Sequence, residues 1–273
     1  MKEIIKKLLP IRAVRQIQRA LVQLRMVVHR LRWAAHVFGE NDVGLETFDG
    51  FEIAYRVSSV DIAVLWHSFS KDIFLREIPE YSLHPDAVVL DVGAHIGTFS
   101  LLVAAKAPHG RIFAVEAARD TFNLLRTNVA LNHLNNIFAD HLALSDRTGM
   151  ATLSHDPDGN YGNSITKQFS VSSEEVPCTT LSRYLDDREI RHIDLAKFNC
   201  EGAEFPILLS TGADVLQRIC KMIILYHCDL VQGASASALT EHLAASGFET
   251  RIVNQSAERG WIIATRYIAG SAD

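Results

Sequence analysis

The chain has 273 residues, 48% of them apolar, 22% charged and 8% aromatic, which excludes disorder, collagen-like sequence and low complexity. No run approaches the roughly 18–20 uninterrupted apolar residues of a membrane-spanning helix, and a formal net charge of −5 argues against general affinity for nucleic acid. The charge is unevenly spread: residues 1–39 carry Lys2, Lys6, Lys7, Arg12, Arg15, Arg19, Arg25, Arg30 and Arg32 against Glu3 alone, so a basic arm precedes an acidic body.

After Pro10, the residues Val14, Ile17, Leu21, Leu24, Val28, Leu31, Ala35 and Phe38 recur at alternating spacings of three and four, a heptad seam that Gly39 ends. This predicts a basic amphipathic helical arm over residues 1–40. Its apolar face packs on its own domain or on a sister subunit; alternatively it lies on an anionic membrane, with Arg at the headgroups and Trp33 at the boundary. Phe48-Asp49-Gly50-Phe51 places a turn between two strand-like runs, a hairpin signal. Residues 69–78 read as a helix ended by Pro79, so 41–84 is expected to form a hairpin and helix packed on the core.

From residue 85 to 273 the pattern becomes that of a single α/β domain. Strands are expected at 87–90, 112–115, 137–144, 193–198 and 222–226, with helices at 99–105, 119–134, 204–210 and 236–246. Residues 149–178, rich in Gly, Asn, Asp and Ser, read as a β excursion. Apolar strands separated by helices imply a parallel sheet buried on both faces, and two last strands at 250–253 and 261–265 suggest an antiparallel edge. Cys178, Cys200, Cys220 and Cys228 form no CxxC and no zinc-type spacing with His, and HExxH is missing. Reduced thiols in a cytoplasmic protein and no metal are therefore expected, with contact at the inner membrane face reserved for the arm.

The strongest chemical signal is Val88-Val89-Leu90-Asp91-Val92-Gly93-Ala94-His95-Ile96-Gly97, an apolar strand running into a glycine-containing turn and then a helix. It is neither GxGxxG nor a phosphate-cradling P-loop, because the second glycine is displaced and no GK[ST] follows. Glu116 ends the next strand, where an acid can accept hydrogen bonds from ribose hydroxyls. Together these favour an adenosine-type cofactor over a purely structural turn. Asp91 also has a plainer reading, as a hydrogen-bond acceptor for turn amides.

These residues resemble class I S-adenosylmethionine-dependent methyltransferases, and more narrowly the FkbM family. The resemblance is carried by Asp91-Val92-Gly93-Ala94-His95-Ile96-Gly97, Ala143-Leu144-Ser145-Asp146, Val176-Pro177-Cys178-Thr179-Thr180-Leu181 and Lys197-Phe198-Asn199-Cys200-Glu201-Gly202-Ala203-Glu204, in the family's order across roughly residues 85–266. It implies a Rossmann-like seven-stranded methyltransferase sheet, mostly parallel with one reversed edge strand. It implies S-adenosylmethionine as cofactor, with Asp91, Gly93, Ala94, His95 and Gly97 about its methionine part, Glu116 on the ribose, and Leu142 and Ala143 beside the adenine.

By the same resemblance the Lys197–Glu204 stretch faces the methyl group and the acceptor, a hydroxyl on a sugar, glycan or secondary metabolite. His95 stands where the family has Asn, Asn199 where it has Asp, and the next strand ends Leu225-Tyr226-His227. Asn cannot act as a general base but can orient a hydroxyl. The catalytic candidates are Lys197, Asn199, Glu201 and His227, with His67 as another proton acceptor. Lys197 can instead pair a carboxylate at the strand end, and Glu201 and Glu204 can cap the helix they begin. The competing function is a cofactor-binding but catalytically weak regulatory or assembly protein. An NAD-dependent oxidoreductase is disfavoured because the three-glycine fingerprint is missing.

Overall fold

Asp49 and Gly50 both adopt positive φ, 48° and 91°, as the primed turns of two-residue hairpins require. They join β1 (Val43–Phe48) to β2 (Phe51–Arg56) in antiparallel register, with Phe48 opposite Phe51. The computed structural model describes residues 43–57, 59, 61–70, 74, 78–155, 162–169, 172–256 and 258–266; the basic arm expected over 1–40 lies outside them.

The helix expected at 69–78 is instead α1 (Asp61–Ser70), while 71–73 and 75–77 are outside the described residues. Two causes move it. Ile62, Leu65, Trp66 and Phe69 supply a helical apolar stripe, and Phe48 packs on Trp66 and Phe69 with ring centroids 5.3 and 5.6 Å away. Asp61 opens the helix while its carboxylate accepts from the Arg56 backbone N–H and guanidinium at 2.8–2.9 Å. Pro79 does not end a helix; it begins a single 3-10 turn, Pro79–Tyr81.

Alternation then builds the main sheet. In chain order come β3 (Val88–Val92), α2 (Thr98–Lys106), β4 (Arg111–Glu116), α3 (Arg119–Leu131), β5 (Ile137–His141), β6 (Ala143–Ser145), β7 (Gly149–Ser154) and β8 (Ser173–Thr180). They are followed by α4 (Leu181–Asp187), β9 (Ile193–Phe198), α5 (Glu204–Ser210), α6 (Ala213–Leu216), β10 (Ile219–His227), α7 (Ala236–Ala245), β11 (Glu249–Val253) and β12 (Arg259–Thr265). Seven strands lie in the order β11-β12-β10-β9-β3-β4-β5. The single reversed strand is β12, antiparallel to both neighbours and one place in from the edge formed by β11.

Successive strand residues serve opposite cores, the reason these runs read as continuously apolar. Val89, Ile112, Ala114 and Leu195 face α2 and α3, while Leu90, Phe113, Val115 and Ala196 face the layer holding α5 and α7. Among the described residues no helix is long and apolar enough to cross a membrane.

The one strand expected over 137–144 divides. β5 stays in the main sheet beside β4, whereas β6 leaves to pair in parallel with β8 in a three-stranded sheet, order β6-β8-β7. Leu142 is left at the step between the two sheets. The hairpin is tied to the domain through Asn128 of α3, whose amide bonds Ala54 N and O and Ile96 O at 2.7–3.1 Å, all buried. Strand order reverses between β3 and β9, so the crevice characteristic of open α/β sheets opens beyond the carboxyl ends of β3, β4 and β9.

Candidate active site

The turn after β3 is held from three directions. Gly93 and Ala94 donate their N–H groups to Val115 O, each at 3.0 Å, and a Cβ on Gly93 would stand 1.9 Å from Asn199 O. Glycine is required there by the neighbouring β9 loop, at a φ of 73°. His95 follows at φ 55°, a left-handed position where Asn and His are both over-represented, so the exchange for the family's Asn is conformationally tolerated. Gly97 opens α2, with Leu125 Cδ1 only 2.5 Å from where its Cβ would be. Its close neighbour is therefore α3.

Asp91 lies beneath this turn, with no exposure. It accepts from Ser100 Oγ at 2.6 Å and from Lys197 Nζ at 2.8 Å, and Lys197 also donates to Gly93 O at 2.9 Å. The carboxylate pairing considered for Lys197 is present. Glu116, at the end of β4, accepts from His95 N and Ala118 N, both at 2.9 Å. Burial pushes its carboxyl pKa up, and those two backbone N–H groups work against the rise. The His95 ring is driven the other way. Burial takes its pKa down to about 4 although Asp61 Oδ1 lies 3.4 Å from Nε2, so it is neutral at physiological pH.

The loop after β9 carries the second group. Asn199 has a buried Oδ1 with no hydrogen-bond partner among the described residues. Glu201 sits at φ 50°, its carbonyl held by Ser164 Oγ at 2.6 Å. Such a position is costly for a non-glycine residue and is retained where function or surrounding structure demands it.

Glu204 does more than cap α5. One oxygen, Oε2, accepts from Gly202 N at 3.0 Å; the other, Oε1, accepts from His227 N at 2.8 Å and meets His227 Nδ1 at 3.0 Å. His227 Nε2 then lies 3.4 Å from Glu201 Oε2. Burial on its own lowers the His227 pKa, but the Glu204 and Glu201 carboxylates outweigh it and the net shift is upward. Burial raises the Glu201 pKa, partly offset by His227.

Both groups line one cavity of about 330 Å³, within the roughly 300–1,000 Å³ usual for small-molecule sites. Gly93, Ala94, His95, Glu116, Leu142 and Ala143 form one part of the wall and Lys197, Asn199, Glu201 and His227 another. Asp91 and Gly97, proposed from sequence as cofactor contacts, do not line it, and neither does His67. Sequence reasoning missed Arg259 and Asn163, which do. Arg259 comes from the reversed strand, paired across from His227, and holds Asp229 in a bidentate ion pair at 2.7–2.9 Å. Nothing local in the sequence marks it.

A family model described as "Methyltransferase FkbM domain" matches residues 91–249. The chain is similar to the AMB antimetabolite synthetase AmbE of Pseudomonas aeruginosa, 27% identical over 227 residues that cover 67% of this chain and 10% of that protein. It therefore spans about a tenth of that relative's length. It is also similar to methyltransferase sdnD of Sordaria araneosa, 27% identical over 202 residues, 62% of this chain and 76% of that protein. Among solved structures the METTL16 MTase domain aligns with a TM-score of 0.51 and 14% identity over 80% of this chain and 74% of that chain, a likeness of fold.

Proposed function

The chain belongs to the FkbM methyltransferase family, and from that premise we propose that it methylates a hydroxyl oxygen on a sugar, glycan or secondary metabolite. The observation that carries this reading is the buried His227–Glu204 pair opening onto the same cavity as Glu116. It supports a working catalyst over a cofactor-binding protein of weak activity. The antimetabolite synthetase among the relatives supports a secondary metabolite as the acceptor class.

The residues present fit S-adenosylmethionine, the methyl donor of this family. Glu116 spends one lone pair of each oxygen on His95 N and Ala118 N and keeps the others for the two ribose hydroxyls. Leu142 and Ala143 offer an apolar wall for the adenine ring, and the unpartnered Asn199 Oδ1 awaits an N–H or O–H donor.

When bound, the cofactor supplies an electrophilic methyl group on a sulfonium, so the protein has to align the acceptor and remove its proton. His227 does the second task. Glu204 takes the Nδ1–H, which fixes the tautomer and leaves Nε2 bare to receive the hydroxyl proton. Glu201, 3.4 Å from Nε2, stabilises the imidazolium that results. Asn199 orients the acceptor. Lys197 and Asp91 act from below as positioning residues for the Gly93 turn.

Calorimetric titration with S-adenosylhomocysteine tests the cofactor half of this reading. Glu116→Ala is expected to bind about 10–100-fold more weakly, the equivalent of losing charged hydrogen bonds worth roughly 1.5–3 kcal/mol. Equal affinity in a folded variant would remove Glu116 from the site, and no binding by the native chain would sink the reading. A screen of hydroxyl acceptors for release of S-adenosylhomocysteine tests the other half.

The catalytic pair predicts a pH dependence. The base works only when neutral, so the rate falls as pH drops through the His227 pKa, which lies above the ordinary 6.5. In Glu204→Gln one raising carboxylate is gone while burial, which lowers the pKa, remains. The acidic limb of kcat/KM should therefore move to lower pH, alongside a reduced plateau. An unmoved limb would mean that Glu204 does not act on the titrating base.

A further inference from the structure

At the amino ends of the parallel strands, across the sheet from the cavity, a second set of reactive side chains converges. Asp194 on β9 and Cys220 on β10 are register neighbours, since Ile193 pairs with Ile219 and Leu195 with Lys221, so both project from the same face. His192 stands two residues before Asp194. Its Nε2 lies 2.9 Å from Asp194 Oδ1 and 3.6 Å from Cys220 Sγ, and the three ligand atoms all lie within 4.8 Å of one another. His84, on the segment entering β3, brings its own Nε2 to 3.2 Å from the same Asp194 oxygen.

We propose that His192, Asp194 and Cys220 form a zinc site with three protein ligands and the fourth tetrahedral position open to solvent, His84 standing beside it on Asp194. With Zn–N and Zn–O near 2.0–2.2 Å and Zn–S near 2.3 Å, neighbouring ligand atoms of a tetrahedron stand about 3.3–3.6 Å apart. The His192–Asp194 and His192–Cys220 separations of 2.9 and 3.6 Å are within a few tenths of an ångström of that, the S···N edge matching best. An imidazole, a thiolate and a carboxylate suit zinc; magnesium and calcium prefer oxygen alone.

The surrounding hydrogen bonds orient the ligands as metal sites require. Asp194 Oδ2 is occupied by Val88 N at 2.8 Å, which turns Oδ1 toward the imidazoles. His84, its Nδ1 2.6 Å from Asp86 Oδ1, meets the ligating Asp194 oxygen through Nε2 and so helps to orient that carboxylate. The side chains of His84 and His192 are 57% and 50% exposed, which gives an ion a path of entry from solvent.

The test is titration of the full chain, stripped with a chelator, with cobalt(II) alone. A thiolate-to-cobalt charge-transfer band is expected, bleached by added zinc(II), lost in Cys220→Ser and kept in Cys178→Ser. His84→Ala should weaken cobalt binding about 10–100-fold. His192→Ala, at a half-exposed position, should weaken it at least as much and serves if Cys220→Ser fails to fold. No band in the folded native chain, a band that survives Cys220→Ser, or unchanged affinity in His192→Ala would each overturn the proposal.

Discussion

His227→Asn is expected to lower kcat by about 10²–10⁴-fold, the usual contribution of a positioned general base, while leaving affinity for S-adenosylhomocysteine within a few-fold of the native value. Asn is the informative replacement because its side-chain N–H occupies roughly the place of Nδ1–H. The hydrogen bond to Glu204, 3.0 Å in the native chain, can then survive while Nε2, the proton acceptor, is removed. Glu204 has no exposure and His227 only 1%, so a replacement without a donor would strand a buried carboxylate and confuse chemistry with folding. The measurement is the initial rate of S-adenosylhomocysteine release at saturating cofactor and acceptor, beside calorimetric binding. Glu201→Gln is the necessary comparison. If it costs more than His227→Asn, the proton goes to Glu201, whose raised pKa also places it among candidate bases. An unchanged rate in both would remove this corner from the chemistry.

The part of the cavity wall proposed to hold the cofactor was legible because it is local. Strand, tight turn and helix are consecutive in 88–97, and an acid at the end of the next parallel strand must come alongside the turn in a βαβ unit. The hairpin was legible for the same reason, with Asp49-Gly50 supplying both positive φ values. What escaped depends on contacts distant in sequence. Nothing in Phe138-Ala139-Asp140-His141-Leu142 announces that the chain changes sheets; the pairing of Ala143 with Cys178 decides it. Helix α1 was misplaced although Ile62, Leu65, Trp66 and Phe69 carry the periodicity, because Phe69 and its followers offered an equally apolar run and Pro79 a false stop.

Glu204 shows the limit most clearly. As a helix-opening acid it has an adequate local explanation, and only the arrival of β10 beside β9 gives its second oxygen to His227. The His192–Asp194–Cys220 cluster is hidden in the same way. Its side chains lack zinc-finger spacing, and the register of β9 and β10 is what brings Cys220 to the other two.

Lys197→Met is expected to destabilise the fold by about 3–5 kcal/mol, the cost of leaving a buried charge without its partner. The sequence offered two roles for this residue, a catalytic amine or a strand-end counter-ion, and the geometry favours the second. Nζ is engaged by Asp91 Oδ1 at 2.8 Å and Gly93 O at 2.9 Å, with the Lys197 side chain 3% exposed and that of Asp91 fully covered. Met matches the length of the stem and keeps its packing among Phe74 and Phe99, whose ring centroids lie 5.8 and 5.6 Å from the ammonium. The loss is therefore electrostatic. Asp91 would retain only Ser100 Oγ, and Gly93 O would lose its donor. Urea unfolding measures the effect, and the double variant Asp91→Leu with Lys197→Met should recover much of it, because removing both charges leaves none buried alone. Since Gly93 belongs to the cavity wall, the single variant should also bind S-adenosylhomocysteine less well than its residual folded fraction predicts. A variant as stable as the native chain but inactive would reverse the assignment and make Lys197 a catalytic residue.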